Sequence, residues 1–165
     1  MRLSSLGAAH FAAALAALAL GALVLLGRKG TPAHRALGAS YVTAMALVNL
    51  TALGIWQLTG RLGPFHALAL ASLATVAWGF AAALRRRPGW LLRHYHSMAW
   101  SYVGLLAAAS AEAAIRVPAI AGAITSASRA TALGLGLAAL FLLLGFLIVP
   151  RLAARAVGSL GRVPP

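Results

Sequence analysis

Apolar residues run along this chain in blocks too long and too continuous for the half-buried helices of a soluble domain. The first block, about residues 6–26, is Ala, Leu, Val, Phe and Gly with a single His10, and it ends at Gly27-Arg28-Lys29-Gly30. A run of that length spans a bilayer core of roughly 30 Å. An N-terminal signal peptide is the competing reading, but the run is long for one and His10 would be out of place in it. Thr31-Pro32 then has the chemistry of a helix start, with Thr31 as N-cap and Pro32 at a first-turn position that needs no N–H. That start predicts a second helix over about 32–59. Gly60, Gly63 and Pro64 make a turn into a third helix, about 64–84. After the basic loop Arg85-Arg86-Arg87-Pro88-Gly89, a fourth is predicted over about 90–117, closed by Val117-Pro118. A looser stretch with Gly122, Thr125, Ser126 and Ser128 leads to a fifth over about 130–149, which holds no ionisable residue, and Pro150 opens a short basic tail. The pattern predicts an all-α polytopic membrane protein: one integral membrane domain over 1–165, with five transmembrane helices of which the first four form a bundle.

Within the fourth helix, His94 and Glu112 are eighteen residues apart, five turns, which puts them on one face about 27 Å apart along the axis. A face carrying His94, Ser97, Met98, Ser101 and Glu112 is expected to look into the bundle, and the opposite face of Leu, Val, Ala and Trp toward lipid. The fifth helix offers Gly134, Gly136 and Gly145 for close packing against lipid or a partner. Asn49 and Thr51 are expected to make hydrogen bonds between helices. The three tyrosines and four tryptophans read as interfacial anchors and packing residues.

Composition narrows the class. Hydrophobic residues make up 62% of the chain and charged ones only 9%, against about 25% charged in a soluble domain. A net charge of +13 would suggest nucleic acid in a soluble protein. Here the cations sit between apolar runs, where the preference for basic loops on the cytoplasmic side accounts for them, so no nucleic-acid partner is expected. Arg28, Lys29, Arg35, Arg85, Arg86, Arg87, Arg93, Arg151, Arg155 and Arg162 fall on one side, and Arg2, Arg61, Arg116 and Arg129 on the other. This predicts an N-out, C-in chain. With no cysteine, disulfides, thiolate metal sites, iron–sulfur clusters and covalently attached haem are excluded.

Histidine is left as the main candidate ligand. His10, His34, His66, His94 and His96 all lie in the first two turns of predicted helices. Alternating helix direction sorts them into an outer layer, His10 and His66, and an inner one, His34 with His94 and His96. Two imidazoles from alternate helices at each face is what bis-histidine haem b ligation requires. His94 shares the face of Ser97 and Ser101, whereas His96 points about 200° away, so His94 is the expected ligand. His96 is left to touch a headgroup or a haem propionate. Zinc or copper is the other metal reading, and its outer layer would need Glu112. Glu112 and Arg116, i and i+4, are expected to pair. An ionisable residue within a membrane span is also a candidate for proton transfer, quinone contact or propionate binding.

The segments GTPAHRALG (30–38), GPFHALAL (63–70) and HYHSM (94–98) resemble the blocks of a family of predicted bacterial membrane proteins of unknown function. The likeness covers about residues 6–105 and places His10, His34, His66 and His94 on that family's histidine positions. TALGIWQL (51–58) stands where a further histidine would be expected. A second resemblance, of pattern, is to transmembrane di-haem cytochromes b, through the histidine near each helix start and HALALASLATVAWGF (66–80). It implies an outer haem on His10 and His66 and an inner one on His34 and His94. The expected function is haem-b-mediated electron transfer across a bacterial inner membrane, to a quinone or another redox partner. The alternative is a cofactor-free accessory subunit that joins a larger membrane complex through the fifth helix.

Overall fold

The computed structural model describes residues 4–55, 64–116 and 127–160. They form five helices and no strand: α1 (Ser5–Leu26), α2 (Pro32–Leu53), α3 (Pro64–Arg85), α4 (Trp90–Arg116) and α5 (Ala127–Leu160). Four contain stretches long and apolar enough to cross a membrane: Ser5–Leu26, Pro32–Leu53, Phe65–Arg85 and Ala132–Arg155. The fifth, α4, has 27 residues, about 40 Å of helix. Its length suffices, but two histidines, three serines, Glu112 and the terminal arginines dilute its apolar content. The chain divides into two compact units, Met1–Ala81 and Ala82–Pro165.

In the first unit α1 and α2 pack as an antiparallel hairpin. Their far ends meet: a Cβ on Gly54 would stand 3.0 Å from Leu6 Cδ2. Where the helices approach, α1 buries small residues, Ala17 and Gly21, which let the backbones come close. On α2 the buried residues are Tyr41, Ala44, Met45, Val48 and Asn49, the i, i+3, i+4, i+7, i+8 spacing of one helix face. The hairpin is closed by local chemistry. Thr31 caps α2, its hydroxyl accepting from the His34 N–H at 3.1 Å, with Pro32 in the first turn. Lys29 turns its ammonium back onto the carbonyls of Val24, Leu25 and Gly27 at 2.8, 2.6 and 3.0 Å, supplying donors that the end of α1 otherwise lacks.

The second helix is shorter than its apolar pattern predicts. It stops at Leu53, and Gly54 and Ile55 turn back with N–H bonds to the Thr51 and Ala52 carbonyls. Gly54 ends the helix where hydropathy alone would have carried it to residue 59; residues 56–63 lie outside the described chain. Asn49 also differs from expectation: its amide donates to the Met45 carbonyl of its own helix, 2.7 Å away, and not across to another. Along α3 a stripe of His66, Ala69, Val76 and Gly79 is buried.

In the second unit α4 and α5 run antiparallel. Trp100 meets Phe146 edge-on, ring centroids 4.8 Å apart. Glycines set the approach: a Cβ on Gly145 would lie 2.8 Å from Val103 Cγ1, and one on Gly134 would lie 3.2 Å from the Ala111 backbone. Trp100, Val103 and Ala111 belong to the face of α4 expected to meet lipid. That expectation is corrected: α5 covers this face, because Gly145 leaves room for Trp100 and Val103 and Gly134 lets the backbones come close at Ala111. Gly136 lies off the contact, since a Cβ there would meet nothing within 4 Å. On the polar side of α4, Ser101 and Leu105 are buried, but Glu112 is exposed and does not turn inward as expected.

The last helix also corrects the predicted boundaries. It runs from Ala127 to Leu160 straight through Pro150, so Arg151 and Arg155 are helical and no tail begins at Pro150. Proline removes the N–H that would bond the Phe146 carbonyl. The next residue, Arg151, donates its guanidinium to the neighbouring Leu147 carbonyl.

Candidate histidine site

The best-defined candidate is His10, in the second turn of α1. Its Nδ1 lies 3.1 Å from the Val48 carbonyl and 3.0 Å from the Thr51 hydroxyl. The carbonyl can only accept. The Thr51 hydroxyl donates its single proton to its own helix, to the Leu47 carbonyl at 2.6 Å or the Val48 carbonyl at 3.0 Å, so toward His10 it too accepts. Two acceptors on one nitrogen require the proton there. The neutral ring is therefore the Nδ1–H tautomer, and Nε2 carries the lone pair available to a metal. The interhelical role expected of Thr51 is met, and its partner is His10. Sequence reading missed this pairing, although hairpin arithmetic contains it: folding the chain about residue 29 sets residue 10 beside residue 48.

The other histidines are placed as follows. His66, in the first turn of α3, is 5% exposed with Nε2 buried. His34 is half-buried at the start of α2, its Nδ1 buried. His94 and His96 are half-buried on α4, and the His94 ring is tilted 44° to that of Trp90 with centroids 6.4 Å apart. His10, His34 and His66 belong to the first unit, His94 and His96 to the second. Among the described residues, no three His, Asp or Glu side chains gather into a group that could cage a metal ion. Glu112, the residue a zinc site would need, belongs to the second unit. The expected pairing of Glu112 falls on the Arg116 side chain, outside the described residues. The aromatic residues divide in role: Trp100 and Tyr41 are packing residues, whereas Trp78 is 65% exposed, as an anchor facing lipid would be.

Apolar helices of spanning length, small residues at the helix contacts and polar side chains bonded to backbone carbonyls define an integral, multi-pass membrane protein of unknown function. More narrowly, the chain belongs to the family described as Predicted membrane protein (DUF2306), whose model matches residues 7–152. No curated protein and no solved structure matches it.

Proposed function

We propose that the chain is a haem-b-binding electron-transfer protein of a bacterial inner membrane, with its N terminus outside and its C terminus inside. The observation that supports this most is the fixed tautomer of His10. A histidine that ligates a metal almost always donates its other ring N–H to a carbonyl, carboxylate or water, and that bond orients the ring and strengthens it as a donor. The Val48 carbonyl and Thr51 hydroxyl do this for His10. The donor set fits as well: imidazoles near the starts of four successive helices and no thiolate. His10 and His66 would hold one haem b, and by helix order in the sequence His34 and His94 fall to a second. Bound iron supplies a one-electron couple. The chain's own contribution would be the histidine ligands, an Nδ1–H bond that tunes ligand strength, and apolar helices that keep water from the site; a quinone or another redox partner would exchange electrons with it.

The full chain, purified in detergent, should show a Soret band that shifts on dithionite reduction. Replacing His66 by Ala should weaken or displace that band, and replacing His96 should leave it. A colourless preparation that cannot be reconstituted with haem would overturn the proposal and leave the accessory-subunit reading in its place.

A further inference from the structure

The connection between α3 and α4 concentrates charge as no other described segment does. Arg85, Arg86 and Arg87 follow one another, and Arg93 lies in the first turn of α4; all four are exposed. The loop is tethered at both ends. The Arg86 N–H bonds the Ala82 carbonyl at 3.0 Å and the Trp90 N–H bonds the Arg87 carbonyl at 2.8 Å. Arg93 reaches back with Nη2 to the carbonyls of Pro88 at 2.7 Å and Arg87 at 3.4 Å. Arg86 is left-handed, φ +46°, at the position after a helix where glycine is the usual occupant. Its guanidinium carbon stands 5.6 Å from the centre of the Trp90 ring, within cation–π range. A glycine would fit this backbone more easily, so what recommends arginine here is its side chain.

No acidic side chain lies near these four charges in the sequence. The chain's one side-chain carboxylate, Glu112, lies nineteen residues beyond Arg93, about 28 Å along α4. The surroundings are amphiphilic: Leu84 and Leu92, 68% and 46% exposed, flank the arginines, and Trp90 is of the residue type favoured at a bilayer interface. A free phosphate ion would use the arginines and gain nothing from the leucines. A phospholipid would use both.

We propose that this loop binds the phosphodiester headgroup of an anionic phospholipid, with Arg85, Arg86 and Arg87 on the phosphate and Leu84 and Leu92 beside the acyl chains. The assignment does not depend on whether the histidines hold haem. Native mass spectrometry of the full chain, titrated with dioleoyl phosphatidylglycerol or dioleoyl phosphatidylcholine, tests it. The anionic lipid should bind at least about tenfold more tightly, as expected of several cations near one headgroup. Arg85→Gln with Arg87→Gln should abolish most of that preference, and Arg151→Gln with Arg155→Gln, an equal loss of charge, should keep it. Arg86→Gly separates binding from folding: it should lower lipid affinity without lowering the melting temperature. Equal binding of the two lipids, equal loss in both double variants, or displacement of the lipid by millimolar inorganic phosphate would each overturn the proposal.

Discussion

A half-buried imidazole whose Nδ1 faces two acceptors has one neutral state that satisfies both, and that makes His10 a testable residue. Thr51→Val removes the hydroxyl and keeps the shape while the Val48 carbonyl stays. Side-chain hydrogen bonds between membrane helices average about 0.6 kcal/mol, so a small fall in melting temperature in detergent is expected, on the order of a degree or two. Thr51→Ser should restore it. If the serine variant melts no higher than the valine one, the hydroxyl is not what holds the ring. Arg86 gives the opposite sign. Left-handed backbone costs an ordinary residue roughly 1–2 kcal/mol, so Arg86→Gly should raise the melting temperature, which differential scanning in detergent would show.

Helix contacts fail or tolerate change according to what a new atom would meet. Gly134→Ala drives a methyl against the backbone of Ala111, which cannot rotate away, whereas Gly136→Ala meets nothing. The first should destabilise by about 1–3 kcal/mol, as overpacking does, and the second should be neutral or favourable. Thermal unfolding of the pair decides whether α4 and α5 meet at Gly134. Pro150→Ala restores a backbone donor within α5 and should add up to about 3 kcal/mol; a lower melting temperature would mean that α5 gains more from the proline than it loses with the missing donor. These elements also show what the sequence carries. Thr31-Pro32 and the loop after Arg85 could be read directly, because caps and breakers act through neighbouring residues. Hydropathy overran Gly54 and stopped early at Pro150, since it measures solubility in lipid and not backbone geometry. Periodicity set His94 and Ser101 on one face of α4 and Trp100 and Val103 on another but could not say which face meets a partner. That choice was made by glycines on α5, tens of residues further along the chain.

At the scale of the whole molecule, charge asymmetry supports the proposed orientation. The absence of native cysteine makes that orientation directly measurable. A single cysteine at Arg87→Cys should resist a membrane-impermeant maleimide in intact cells and react after lysis. One at Arg2→Cys should react in both. The reverse result would place the basic loops outside and overturn that orientation. The fold and the membrane class were legible in the sequence because hydropathy and loop charge are summed over many residues. The candidate site was legible only as a set of histidines, because the bonds that orient His10 depend on register between two helices.

That register has a consequence for biosynthesis. The α1–α2 hairpin closes through contacts between residues fewer than fifty apart, with its loop, caps and the His10 bond to Val48 and Thr51 all drawn from residues 4–55. Local contacts of this kind form early, and chains fold from the N terminus as they are synthesised. The bonds that set the tautomer of His10 need no residue beyond Thr51, so they can form while His66 has yet to leave the ribosome.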